Sequence, residues 1–370
     1  MNYSAILETL KKYDFSFFGA VIAIFFIGVI NLYSATQASD QLSHSNLFKI
    51  QLFYFLISMA IALTISFVQT KNYFRYGYFI YGVNVFLLIL VLTLGKIGMG
   101  AQRWLVLGPI SFQPSEFMKI SIVLALGRWF TKTDPHLVLG FKELIIPAII
   151  TFIPMILIVL QPDLGTGILV GLISFMIAFY RRLRWKVIVM LGIISLIGGS
   201  VMYQYGLKEY QRKRIIAFVN PDADAKGSGY NAIQSKIAIG SGEFLGKGYK
   251  KSTQASLQYL PENHTDFIFS IFNEEHGFFG SLVLISLYIV LFYRFIWLAQ
   301  AVTKIFDSIL AVGLMSIFFW HTFINMGMVM GLMPIVGVPL PLLSYGGTSL
   351  LTFMICCGVA TSISNSRNFF

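Results

Sequence analysis

The segment YLPENHTDFIFSIFNEEHGFFG, from Tyr259 to Gly280, places Asp266 directly before the apolar run FIFSIF. A carboxylate at a water–membrane boundary loses solvation in its charged form, which moves its pKa up towards that of a working base. Such a group can take a proton from a sugar hydroxyl, and the same position also suits the cap of the helix that follows. Further along, Glu274 and Glu275 stand before Gly277 and read either as a solvated turn or as paired carboxylates for a divalent cation.

A second group of charges lies in GAQRWLVLGPISFQPSEFMK, from Gly100 to Lys119. Pro114 suits a helix start, so Glu116 and Lys119 fall on one face as an i,i+3 pair. That pair is either an ion pair that only joins helices or, with Arg103 outside, part of a basic pocket for an anionic headgroup. Asp163, in the turn QPDLGTG, either caps the next helix or partners Lys119 or Arg103. Near the carboxyl terminus, His321 and Asn325 share a helix face, and a lone histidine there is usually a packing residue. Pro334, Pro339 and Pro341 then break the chain into a segment tolerated at membrane depth only if it is buried or lines a cavity. Gly346 and Gly347 would expose amides at the next helix start, a ready anion site.

These residues need a scaffold, and the composition limits what it is. The 370 residues are 56% hydrophobic and 12% charged, with a mean hydropathy of +0.75. Soluble domains carry about 25% charged residues, so a cytosolic enzyme, a disordered chain and a disulfide scaffold are excluded. Cys356 and Cys357 are adjacent and cannot pair with each other. Apolar runs fall at about Phe15–Ser34, Phe48–Val68, Tyr73–Gly95, Phe112–Phe130 and Leu144–Leu160. Five more fall at Thr166–Tyr180, Lys186–Tyr203, Phe278–Ala299, Phe306–Met333 and Ser344–Ser364. The fourth is weakened by Glu116 and Lys119, and the sixth is short. Strands are not expected, because the runs are continuous rather than alternating. The reading is a single all-α polytopic membrane domain over residues 1–370, with about ten transmembrane helices.

The formal charge of +11 suits nucleic acid, anionic lipid or membrane topology equally well. Many of the 27 Lys and Arg, among them Lys11, Lys12, Arg128, Arg181, Arg182, Arg294 and Arg367, fall on one side of the spans. That side is read as cytoplasmic, with both termini on it. The long loop between spans 7 and 8, about residues 205–265, is then extracytoplasmic. It opens with KEYQRKR, an amphipathic or interfacial helix start, and contains GSGEFLGKG, which lacks the spacing and the Ser or Thr of a phosphate loop.

GAQRWL, FQPSEFMKI, QPDLGTG, QSKIAIGSGEFLGKG, YLPENHTDFIF, EEHGFFGS and LPLLSYGGTSLL each resemble signature segments of the SEDS (shape, elongation, division and sporulation) family, in the expected order. The resemblance spans essentially the whole chain and is closer to the RodA branch than to the FtsW branch. It implies a ten-span peptidoglycan glycosyltransferase of the bacterial cytoplasmic membrane. Such an enzyme polymerises lipid II on the outer face and works with a class B penicillin-binding protein and the elongation machinery. It also implies Asp266 as the catalytic residue, with Arg103, Glu116, Lys119 and Asp163 in the substrate cavity. Glu262, His264, Thr265, Glu275, Ser344, Gly346 and Gly347 are supporting residues, and His276 departs slightly from the family pattern. The expected companions are membrane lipid and a divalent cation (Mg2+ or Mn2+), with no organic cofactor and no nucleic acid. A lipid II flippase, or a scaffold that only activates a transpeptidase, are the alternatives.

Overall fold

A computed structural model of the chain describes residues 14–37, 46–98, 101–107, 110–134, 136–224, 227–260 and 262–366. Lys11, Lys12 and Arg367 of the charge asymmetry, and Gly100 and Pro261 of the motifs, lie outside the described residues. Helices form at all ten apolar runs. They are α1 (Phe15–Gln37), α2 (Leu47–Ser66), α3 (Thr70–Leu94), α4 (Pro114–Thr131), α5 (Phe141–Leu160), α6 (Leu164–Tyr180) and α7 (Trp185–Val201), and, after the long loop, α11 (Ile268–Ala301), α12 (Ile305–Val329) and α13 (Gly347–Ser366). Eight are long and apolar enough to cross a membrane; α4 and α6 are the two that fall short. The chain is a polytopic all-α membrane protein.

The core is centred on α12, which packs against α4, α6, α11 and α13 and against the helix Ser228–Ser241 of the long loop. It has 83% of its apolar window buried, against 6% for the stretch containing α7. Of α7 only Val187 is buried, so that helix offers nearly its whole surface to lipid. Helix α4 starts at Pro114, with Glu116 in its first turn and Arg128 in its last, charges that complement the helix dipole. It is buried on almost every side, so its polar residues face other helices rather than lipid.

Three departures from the sequence reading matter for the site. A small antiparallel sheet, β1 (Lys96–Gly98), β2 (Ala101–Leu107) and β3 (Ile110–Phe112), fills the connection before α4 and carries Arg103 on its central strand. The long loop is folded into α8 (Glu209–Val219), a 3-10 turn at Pro221–Asp224, α9 (Ser228–Ser241) and the short α10 (Thr253–Ser256). Finally, α11 begins at Ile268 rather than near Phe278, so Glu274 and Glu275 are not in a solvated turn but are buried inside a helix.

That helix is broken at Gly277, whose φ of 64° lies in the left-handed region. The break frees backbone groups that the glycine-rich segment then takes up. Lys247 N donates to Glu274 O at 2.9 Å and Gly248 N to Glu275 O at 3.0 Å, while Phe278 N donates to Glu243 O at 2.9 Å. Side chains at Gly242 or Gly246 would collide with the backbone of residues 273–276. GSGEFLGKG therefore closes a broken helix. Glu274 locks the same junction: it is fully buried and accepts from Lys247 Nζ (2.6 Å), Ser252 Oγ (2.5 Å) and both Oγ1 (2.6 Å) and N (3.0 Å) of Thr253.

From Val338 to Ser344 the proline segment between α12 and α13 is buried at all but Pro339, with Val338, Leu340, Leu342 and Leu343 almost inaccessible. A buried segment without regular structure must find partners for its carbonyls. Here helix side chains supply them one at a time: Asn325 Nδ2 to Val338 O (2.7 Å), Tyr288 OH to Pro341 O (2.6 Å) and Gln51 Nε2 to Ser344 O (3.1 Å).

Candidate active site

The proline segment in turn holds the turn that carries Asp266. Ser344 Oγ donates to Thr265 O at 2.7 Å and accepts from Leu340 N at 2.8 Å. Tyr345 N donates to His264 O at 3.0 Å. Asn325 reaches Asp266 O at 2.9 Å with the same side-chain nitrogen that holds Val338. Within the turn, Thr265 Oγ1 donates to Glu262 Oε2 at 3.0 Å, and Glu262 has a φ of 55°. His264, Thr265, Glu262 and Ser344 are thus brought together around Asp266.

The Asp266 carboxyl lies beside Gly337, where a Cβ would stand 3.1 Å from Oδ2 and 3.8 Å from Nη1 of Arg214. Gly337, with a φ of 78°, lets carboxylate and guanidinium approach across the bare backbone. Arg214 comes from α8 and is fixed by donation from Nη1 to Val336 O at 3.1 Å. Burial and the neighbouring Glu262 raise the Asp266 pKa to about 6, while Arg214 and Arg103 pull it down and Asp163 adds a smaller upward push. At neutral pH this is an ionised base with more proton affinity than an ordinary aspartate. The sequence places Arg214 only in an amphipathic or interfacial helix start. The available signal was the run KEYQRKR leading into the apolar IIAF.

Arg103 is half-buried on β2. Its Nη2 donates to Pro162 O and its Nε to Gln161 O at 3.4 Å, and Nη1 stands 3.9 Å from Asp163 Oδ1. Asp163 fulfils both readings at once, since it also caps α6 through Thr166 N at 3.3 Å and accepts from Thr166 Oγ1 at 3.0 Å. Gln113 Nε2 adds a third donor at 3.1 Å. Tyr210 of α8 donates to Pro162 O at 2.9 Å, tying the Arg214 helix to the Arg103 turn.

Lys119 is held differently. It is fully buried, with Nζ 2.8 Å from Glu116 Oε1 and 2.6 Å from His321 Nε2. The His321 Nδ1 atom lies 3.1 Å from Pro339 O, an acceptor only, so Nδ1 carries the proton and Nε2 accepts from the ammonium. The expected open pocket shared by Arg103 and Lys119 therefore takes another form: Arg103 lies with Asp163, and Lys119 is a buried strut reaching the proline segment through His321. His321 is more than packing, because one turn before Asn325 it holds the next carbonyl along.

Three further sites fall elsewhere. Glu275 is buried against α1, where Ser34 Oγ donates to it, away from the Asp266 turn. The Gly346 amide is not free for an anion, because it donates to Gln51 Oε1 at 3.2 Å. Gly347 gives room to the Tyr54 ring, which a Cβ would meet at 2.9 Å. Among the described residues no three His, Cys, Asp or Glu gather to hold a metal ion. Asp163 and Glu262 are already engaged by amide, hydroxyl and guanidinium donors. This donor set does not fit a protein-held Mg2+ or Mn2+.

Comparison with known proteins bears on the whole chain. Residues 15–369 match the model of the FtsW, RodA and SpoVE family, described as cell cycle proteins. The chain is 40% identical over 313 residues to the peptidoglycan glycosyltransferase MrdB of Escherichia coli strain K12, covering 84% of each protein. It is 36% identical over 352 residues to the stage V sporulation protein E of Bacillus subtilis, covering 93% of this chain and 94% of that one. Among solved structures, a chain of a peptidoglycan synthase complex that coordinates polymerization and crosslinking superposes with a TM-score of 0.83 at 30% identity, covering 97% of this chain and 99% of that chain. The rod shape determining protein RodA of Thermus thermophilus superposes at 0.72 with 28% identity, covering 97% and 98%. The chain belongs to the FtsW, RodA and SpoVE family.

Proposed function

We propose that the protein is a peptidoglycan glycosyltransferase that polymerises lipid II at the outer face of the bacterial cytoplasmic membrane during cell elongation. The relatives named as peptidoglycan glycosyltransferases support the activity. The observation that carries the mechanism is Asp266, a half-buried carboxylate with its pKa raised to about 6, between the arginines Arg103 and Arg214.

Asp266 takes the proton from the 4-hydroxyl of the N-acetylglucosamine of an acceptor lipid II. The oxygen attacks C1 of the donor N-acetylmuramic acid as the bond from C1 to the phosphate oxygen breaks. Undecaprenyl diphosphate leaves and the anomeric centre inverts. Arg103 and Arg214 meet the charge that develops on the diphosphate. Lys119, Glu116 and His321 act through the proline segment and fix the turn that carries Asp266. Asp163 keeps Arg103 in position. Both termini are cytoplasmic in this reading, and the folded loop between α7 and α11 faces outward. The synthase complex among the structural neighbours supports a class B penicillin-binding protein as the cross-linking partner.

The test is polymerisation of purified lipid II with moenomycin present, to silence the other glycosyltransferase class. Asp266→Asn should fold and make no polymer. Near wild-type yield from Asp266→Asn would remove the base assignment. Transport of labelled lipid II across liposomes without polymer, by the unaltered protein, would favour a flippase.

A further inference from the structure

Arg214 also lines a small recess between α8, α9, the end of α12 and the proline segment. Its charged walls are Arg214 and Lys236, and its apolar floor includes Phe218, Met328, Met333 and Ile335. Lys236 is exposed, and its ammonium has no hydrogen-bond or ion-pair partner among the described residues. The N–H groups of Arg214 other than Nη1 likewise have no protein acceptor among them.

Lys236 is steered by the end of α12. That helix closes with Leu332 N on Gly327 O at 2.8 Å and Gly331 N on Met328 O at 3.1 Å, which puts Gly331 at a φ of 75°. The closure accounts for the glycine but not for the lysine lying across it. A Cβ at Gly331 would stand 2.6 Å from Lys236 Nζ. The missing side chain gives the lysine its track over the recess.

We propose that this recess binds the phosphates of a polyprenyl diphosphate lipid, with Arg214 and Lys236 on the diphosphate and Phe218, Met328 and Met333 against the first isoprene units. Arginine offers a planar fork to phosphate oxygens and lysine a mobile point charge, and an apolar floor beneath two cations matches an amphiphile with a doubly charged head. Arg214 also faces Asp266 across Gly337, so a sugar carried on the bound diphosphate reaches the carboxylate. The inference rests on the glycosyltransferase reading and names where one lipid-linked substrate sits. An anionic phospholipid headgroup shares the phosphate chemistry and is separated by experiment.

The full chain in phosphatidylcholine nanodiscs is titrated with undecaprenyl diphosphate. Lys236→Gln should weaken binding about tenfold, Lys236→Arg should retain it, and Lys251→Gln, outside the recess, should leave it unchanged. In steady-state polymerisation Lys236→Gln should raise KM for lipid II with little change in kcat. Unaltered affinity and KM in Lys236→Gln would overturn the recess while leaving the enzyme assignment intact, provided Asp266→Asn is inactive. Phosphatidylglycerol that displaces the diphosphate lipid with the same dependence on Lys236 would make this a headgroup site and overturn the substrate version. Active Asp266→Asn would instead strike at the base assignment, whatever the binding data.

Discussion

Asp266 and Glu274 lie eight residues apart in one segment, and both are acids in an apolar setting. Glu274 is fully buried and surrounded by an ammonium, two hydroxyls and two amides, so its charge is answered from every side. Asp266 is only half-buried, and its pKa is raised because burial and Glu262 outweigh two arginines. Its main-chain carbonyl is pinned by Asn325, whereas the carboxyl faces the arginines. Full satisfaction makes a carboxylate structural; partial satisfaction with fixed backbone leaves a reactive one.

The contrast can be broken experimentally. The largest effect is expected from Asp266→Asn, which should lower polymerisation about 10³-fold with no loss in thermal midpoint. Because burial favours the protonated acid, ionisation of Asp266 costs stability as pH rises from the ordinary carboxylate range through about 6. The asparagine variant should therefore melt no lower than the parent at neutral pH, and a clear drop would mean that Asp266 is structural. Glu274→Ala should do the reverse, costing about 3 kcal/mol of stability by stranding Lys247 and its neighbours. Its activity per folded molecule should persist, as read by lipid II turnover normalised to folded protein. Loss of turnover with an unchanged midpoint would erase the distinction.

Smaller effects sharpen it. The polymerisation rate should rise with pH through about 6 as Asp266 loses its proton. Removing the negative neighbour in Glu262→Gln should move that profile to lower pH, and Arg214→Gln should move it higher. Movement of either in the opposite direction would contradict the electrostatic account. The least effect is expected from Ser344→Ala, which removes the side-chain contacts to Thr265 and Leu340. The cost is about 1 kcal/mol in stability, with a several-fold drop in kcat and little change in KM, measured on the purified protein.

Much of the scaffold was legible because hydrophobic runs report membrane spans directly. All ten helices lie where the runs are, and the two weak runs are those whose polar residues face other helices. Asp266, Arg103 and Asp163 were legible because charge next to an apolar run is costly. Arg214 was hidden, since a cation within KEYQRKR looks like any solvated helix until α8 is folded back onto the proline segment. The burial of Glu274 is not visible in the sequence, because Gly277 signals a break and gives no sign that residues 243–248 fill it. Lys119 could be seen as out of place, but its histidine partner is 202 positions away and no local spacing reveals it.

The sequence by itself determined the solvent, the helices and the rare ionisable groups at the boundary, because these follow from local transfer energies. Tertiary structure alone decided which of those groups are satisfied. The Asp266 turn is set by Ser344, Tyr345 and Asn325, and its charge by Arg103 and Arg214, each brought in from a distant segment. Whether an acid is a clamp or a base depends on its donors and its exposure, and both are fixed only when the helices pack.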